Sequence, residues 1–159
     1  METLIIETQE QAEALVVNNL LKFEGHLIFK CRINAGWSIK AGGYIKAGLS
    51  INAGESIEAG EYIKAGLSIN AGEYINAGEY INAGEYINAG ESIEAGEYIN
   101  AGEYINAGEY IEAGEYIKAG ADWGIYCGIS LRISNKSQAT ITAKSEPANI
   151  LLGLFVKQE

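Results

Sequence analysis

Residues 73–90 read EYINAG EYINAG EYINAG, one six-residue unit three times over. Outward from that stretch the unit runs unbroken from Cys31 to Gly120. That makes fifteen copies, each with Ile third, Ala fifth and Gly sixth. So short a period cannot build an ordinary globular core. It predicts a stack, in which each repeat buries its apolar face against the next.

Write the unit x-y-Ile-z-Ala-Gly. Side chains of a strand alternate between its faces, so Ile and Ala point one way and y and z the other. Gly and x then make the corner, where the tolerance of glycine for unusual backbone angles is expected to serve. One unit is one short strand plus one bend.

Columns taken every eighteen residues give the number of sides. Position z at 34, 52, 70, 88 and 106 is always Asn, and y at 44, 62, 80, 98 and 116 is always Tyr. Leu49 and Leu67 are also eighteen apart, whereas a spacing of twelve runs Asn34, Lys46, Glu58 without order. The expected fold is all-β: a three-sided parallel β-helix of 18 residues per coil with five regular coils. At about 4.8 Å per coil it rises roughly 24 Å. A small α/β cap at the N-terminus and a β cap at the C-terminus complete it.

Over residues 31–120 the chain resembles the hexapeptide-repeat parallel β-helix (β-solenoid) family. It differs in detail, because here the large Ile precedes the small Ala and Gly follows Ala. Members of that family with enzyme activity are acyltransferases that use a histidine base. The one histidine here, His26, lies outside the repeats. No catalytic site is carried over, and the chain is expected not to be an enzyme.

The flanks break the period. Residues 1–30 are expected to form an N-terminal cap. Thr3 to Ile6 suits a strand, and Thr8 with Gln11 suits a capping box. A helix following Thr8 places Ala12, Leu15, Val16, Leu20 and Phe23 on one face. Leu27 to Phe29 then leads into the repeats as a strand. Residues 121–159 alternate at Ile125, Cys127, Ile129, Leu131 and Ile133 and again at Ala139, Ile141 and Ala143. A last apolar run, Ile150 to Val156, follows the single proline, Pro147. This segment suits a C-terminal β cap. Leu151, Leu152, Leu154 and Phe155 equally suit a homodimer contact, so monomer and homodimer both stay open. Capping is needed because a bare coil end exposes unpaired backbone groups.

The net charge is −10, which argues against nucleic acid or an anionic membrane as a direct ligand. The acidic N-terminus lacks the basic start of a signal peptide, and no apolar run is long enough to span a membrane. The cysteines, Cys31 and Cys127, flank the stack, too far apart for a disulfide. A cytoplasmic location is expected.

The three faces differ. One carries the Asn column, with Ser50 and Ser68 giving way to Tyr86 and Tyr104. The second carries Glu58, Glu94 and Glu112 at z and Glu55, Glu73, Glu91 and Glu109 at the corner, against Lys40 alone. The third carries the Tyr column, corner residues Glu61, Glu79, Glu97 and Glu115, and Lys46, Lys64 and Lys118. Between residues 73 and 115 there are ten Glu and no basic residue. At roughly 11.5 Å of rise, that is about one negative charge per 1.2 Å, against about one per 1.7 Å in duplex DNA.

Such a rod resembles DNA-mimic inhibitors, among them the pentapeptide-repeat gyrase blockers and phage proteins that disarm restriction or CRISPR systems. The resemblance implies an acidic binding module that inhibits a basic nucleic-acid-binding protein. The expected partner-binding residues are Glu55, Glu58, Glu73, Glu91, Glu94, Glu109 and Glu112, with Tyr74 and Tyr110 adding interface contacts. The alternative is a spacer or scaffold, self-assembling or not, whose bend glutamates only keep the stack soluble. No cofactor and no dedicated metal site are expected: stacked Glu pairs fall short of the six to eight oxygens that calcium takes.

Overall fold

The computed structural model describes residues 1–128 and 139–158. Every repeat contributes one strand centred on Ile-z-Ala, from Ile33–Ala35 to Tyr116–Lys118. Among the described residues the strands lie in three parallel sheets of seven, seven and eight, so the chain winds into a three-sided parallel β-helix of about seven coils. Where two repeat strands pair, they lie eighteen residues apart. Ile69, for example, lies beside Ile51 and Ile87.

The interior is one continuous Ile and Ala stack, and every repeat Ile and Ala is buried. Backbone pairing runs on around the corners. Glu91 N donates to Glu73 O, and Glu109 N to Glu91 O, both at 2.7 Å. The corner glycines serve for another reason than the one expected. Among the described residues the only glycines at positive φ are Gly128 and Gly153, both outside the repeats. What the repeat glycines provide is clearance. A Cβ on Gly72 would overlap the carbonyl oxygen of Gly54 in the coil below. Coils at strand-pairing distance leave no room there for a side chain.

The N-terminal flank joins the same sheets. Thr3–Ile6 is a strand, and Thr8 caps the helix Gln9–Glu13 with the reciprocal capping box completed by Gln11. That helix is a single turn and a half, shorter than its apolar spacing predicts. Ala12 alone is buried on it, and Leu20 and Phe23 belong instead to the strand Leu20–Phe23. Asn18 and Asn19 take φ of 49° and 62°, which ends any helical path before Leu20. Leu21 pairs with Ile39 and Leu27 with Ile45, again eighteen apart. These strands put Phe23 and Phe29 where the repeats have Ala.

The first strand of the Asn face, Ile33–Ala35, would present an open edge. The Gln9 amide closes it: Nε2 donates to Asn34 O at 3.0 Å, and Oε1 accepts from Asn34 N at 3.1 Å. A side-chain amide thus stands in for a missing strand.

At the other end Ile125–Cys127, Thr140–Ala143, Ile150–Leu152 and Leu154–Lys157 extend two of the sheets. The period slips here. Ile125 pairs with Ile105, twenty residues away, and Ile141 with Ile111, thirty away. The expected alternation at Ile129, Leu131 and Ile133 lies outside the described residues. Leu151, Leu152, Leu154 and Val156 are exposed on the last strands. Among the described residues no helix is long and apolar enough to cross a membrane. Both cysteines are free.

Candidate functional site

The outward positions form ladders, because each side chain meets its counterpart one coil away. On the Tyr face His26, Tyr44, Tyr62, Tyr80, Tyr98 and Tyr116 make one aromatic stack. Its centroid spacings run from 4.0 Å at His26–Tyr44 to 5.1 Å at Tyr98–Tyr116. His26 Nδ1 accepts the Tyr44 amide at 3.1 Å, which makes it the first rung. Burial, the neighbouring tyrosines and corner glutamates hold Tyr62, Tyr80 and Tyr98 above the ordinary phenol range. On the Asn face Asn52 and Asn70 each donate to the Asn one coil below, at 2.8 and 2.7 Å.

The second face carries the residues expected to bind a partner, and the structure divides them into two sets. Glu55, Glu58 and Glu94 are half-buried and held from within. Glu55 accepts from Ser38 Oγ at 2.7 Å and from Asn19 Nδ2. Glu58 meets Lys40 Nζ at 2.5 Å and accepts the Tyr74 hydroxyl at 2.7 Å. Glu94 accepts from Asn76 Nδ2 at 3.1 Å and from the Tyr110 hydroxyl. Burial opposes the charge on Glu58, but the hydrogen bonds from Lys40 and Tyr74 outweigh it and hold its carboxyl below the usual range. Tyr110 is pushed up, first because its hydroxyl donates a hydrogen bond to Glu94 and then by burial. Tyr74 and Tyr110 are therefore tied to carboxylates of their own face.

Glu73, Glu91, Glu109 and Glu112 make the second set. Among the described residues they show no side-chain hydrogen bond or ion pair, and Glu73, Glu91 and Glu112 are exposed. Glu73, Glu91 and Glu109 climb one corner in direct backbone contact, and Glu112 pairs in register with Glu94. Asn76, Glu94 and Glu112 line a shallow depression of about 190 Å³. This set can offer a column of unneutralised carboxylates at fixed spacing to a cationic surface.

Sequence reasoning passed over one feature. Tyr104, Trp123 and Tyr126 gather around Asn106 in an aromatic cleft at the end of the Asn face. The signal was the Tyr86–Tyr104 column, whose next position falls beside Trp123.

No protein-family model, curated protein or solved structure matches the chain, so its function has to be argued from this geometry.

Proposed function

We propose that the chain is a non-enzymatic binding module that mimics DNA: its acidic columns fill the basic groove of a DNA-binding protein and inhibit it. The observation that carries this reading is the corner column Glu73, Glu91, Glu109, locked rung to rung by backbone hydrogen bonds of 2.7 Å. Strand spacing puts successive carboxylates about 4.8 Å apart along the column, wider than, but of the same order as, the roughly 3.4 Å rise per phosphate of one DNA strand. The sheets hold the column rigid, so docking orders few groups and loses little entropy. A positive groove would also draw the rod in from a distance, at a rate that falls with salt. Glu55, Glu58 and Glu94, with Tyr74 and Tyr110, shape and stiffen the same face. Two free thiols fit action in the cytoplasm.

The test immobilises the protein and elutes captured lysate proteins first with duplex DNA, then with salt. A parallel column carries Glu73→Lys, Glu91→Lys, Glu109→Lys and Glu112→Lys together. DNA-binding proteins released by duplex DNA, and absent from the variant column, are the expected result. Retention indifferent both to DNA and to charge reversal would overturn the reading and leave the spacer in its place.

A further inference from the structure

At the C-terminal end of the Asn face a cleft of about 290 Å³ opens between Tyr104, Trp123 and Tyr126, with Asn106 in its lining. Two ladders stop there. Asn106 Nδ2 donates to Asn88 Oδ1 at 2.8 Å, which turns Asn106 Oδ1 away from Asn88, toward the next rung. That rung holds no amide, because the residue paired with Asn106 is Tyr126. Asn106 Oδ1 is buried and has no donor among the described residues. The aromatic ladder stops as well. Tyr86 and Tyr104 stack at 4.8 Å, but Trp123 lies 6.2 Å from Tyr104 and is tilted by 46°, so the rings open into a wedge. Trp123 is 47% exposed at its mouth.

These groups select for charge. Aromatic faces are electronegative and attract cations. The Asn106 carbonyl dipole is cancelled by no donor among the described residues, so its negative end adds to the field of the cleft. Glu103, the corner residue preceding Tyr104, acts on the Tyr104 hydroxyl from outside the lining and adds negative potential. Burial, then Tyr86 and Glu103, hold the Tyr104 hydroxyl protonated above its ordinary range. Among the described residues lining the cleft none is basic. Among the described residues an anion has nothing here to pair with.

We propose that this cleft binds a guanidinium group, the head of an arginine side chain presented by a partner. A guanidinium is flat, weakly hydrated and rich in N–H donors. It therefore lies flat on an aromatic face with its N–H edge turned toward the negative end of the Asn106 dipole, which an ammonium does less well. The cleft belongs to the Asn face and draws on none of the acidic columns of the second face, so it stands or falls independently of DNA mimicry.

The test needs no partner. In a Trp37→Phe background Trp123 is the sole indole, since the chain has two tryptophans. Its emission is titrated with N-acetyl-arginine amide, N-acetyl-lysine amide and the neutral isostere N-acetyl-citrulline amide. The expected result is a saturable response to the arginine amide, with the citrulline amide roughly tenfold weaker for want of the cation–π attraction. The lysine amide should fall between them. Tyr126→Leu and Asn106→Leu should each weaken the arginine response severalfold, and Asn106→Asp should strengthen it, with unchanged far-ultraviolet circular dichroism. A citrulline or lysine response equal to that of arginine would overturn the assignment, and so would the absence of saturation. That comparison uses a chain intact at the cleft, so it holds even if a cleft variant fails to fold.

Discussion

The hydroxyl of Tyr74 donates to Oε1 of Glu58 at 2.7 Å, reaching down one coil rather than out to solvent. The ring has room because position 56 beneath it is serine, and Ser56 is buried by the contact. Tyr110 does the same over Ser92 to reach Glu94. The unit ESIEAG, present at 55–60 and 91–96, is thus a paired device: its serine clears space and its second glutamate receives the tyrosine above.

This contact predicts a pH dependence. Glu58 titrates below the ordinary carboxylate range in the fold. Its contribution to stability is therefore complete above the ordinary carboxylate pKa and is lost as pH falls through the lowered folded value. Tyr74→Phe should cost about 0.5–1.5 kcal/mol at neutral pH, and the deficit should shrink in acid once Glu58 is protonated. Thermal melts of both proteins across the acid range would show it. A deficit that stays constant into acid would mean that Glu58 plays no part.

The glycine column predicts a contrast between chemically identical substitutions. A Cβ on Gly72 collides with the Gly54 carbonyl, whereas one on Gly36, at the first coil, meets nothing within 4 Å. Gly72→Ala should cost about 1–3 kcal/mol through overpacking. Gly36→Ala should be neutral, or stabilise by up to about 1 kcal/mol by restricting the unfolded chain. Denaturant midpoints for the two variants would decide. Equal losses would mean that backbone angle, not clearance, fixes glycine at the corner.

The two cysteines should react unequally. Cys127 is fully buried, and burial pushes its thiol up to about 11. Cys31 is half-buried at the other end of the stack. Since the thiolate is the reactive form, a thiol reagent near neutral pH should modify Cys31 in the native protein and reach Cys127 only after denaturation. Labelling stoichiometry with peptide mapping would check it, and prompt native labelling of Cys127 would contradict its placement.

How much of this was legible follows from where the physics is periodic. The Ile and Ala columns repeat with the coil, so three sides, register and core could be read from Asn34 to Asn106 and Tyr44 to Tyr116. The clearance at Gly72 was not legible, because both explanations of a corner glycine give the same sequence. Leu20 and Phe23 misled because their spacing suits a helix, while Leu21 and Phe23 suit a coil; pairing with Ile39 and Ala41 decided the matter. At the site the acidic columns were plain. The descent of Tyr74 onto Glu58 was hidden, since it spans sixteen residues and depends on a side-chain direction. The cleft at Trp123 was hidden by the two-residue slip that pairs Ile105 with Ile125.

The corner column makes the last prediction, because its cost to the fold and its use to a partner point in opposite directions. Glu91 and Glu109 stand on adjacent rungs, joined by a 2.7 Å backbone hydrogen bond. Like charges facing each other across strands destabilise by about 0.2–1 kcal/mol per pair. Glu91→Gln with Glu109→Gln should therefore raise the melting temperature in low salt. The gain should fade as the screening length drops from about 10 Å at 0.1 M to about 3 Å at 1 M. A column kept against its own repulsion should serve something outside the fold, so the same variant should release any DNA-displaceable partner at lower salt than the unmodified protein does. If the melting temperature is indifferent to the substitutions at low salt, the carboxylates do not sense one another and the comparison with a phosphate backbone fails. If the variant melts higher and partner retention is unchanged, the repulsion is real but this column is not the surface that binds.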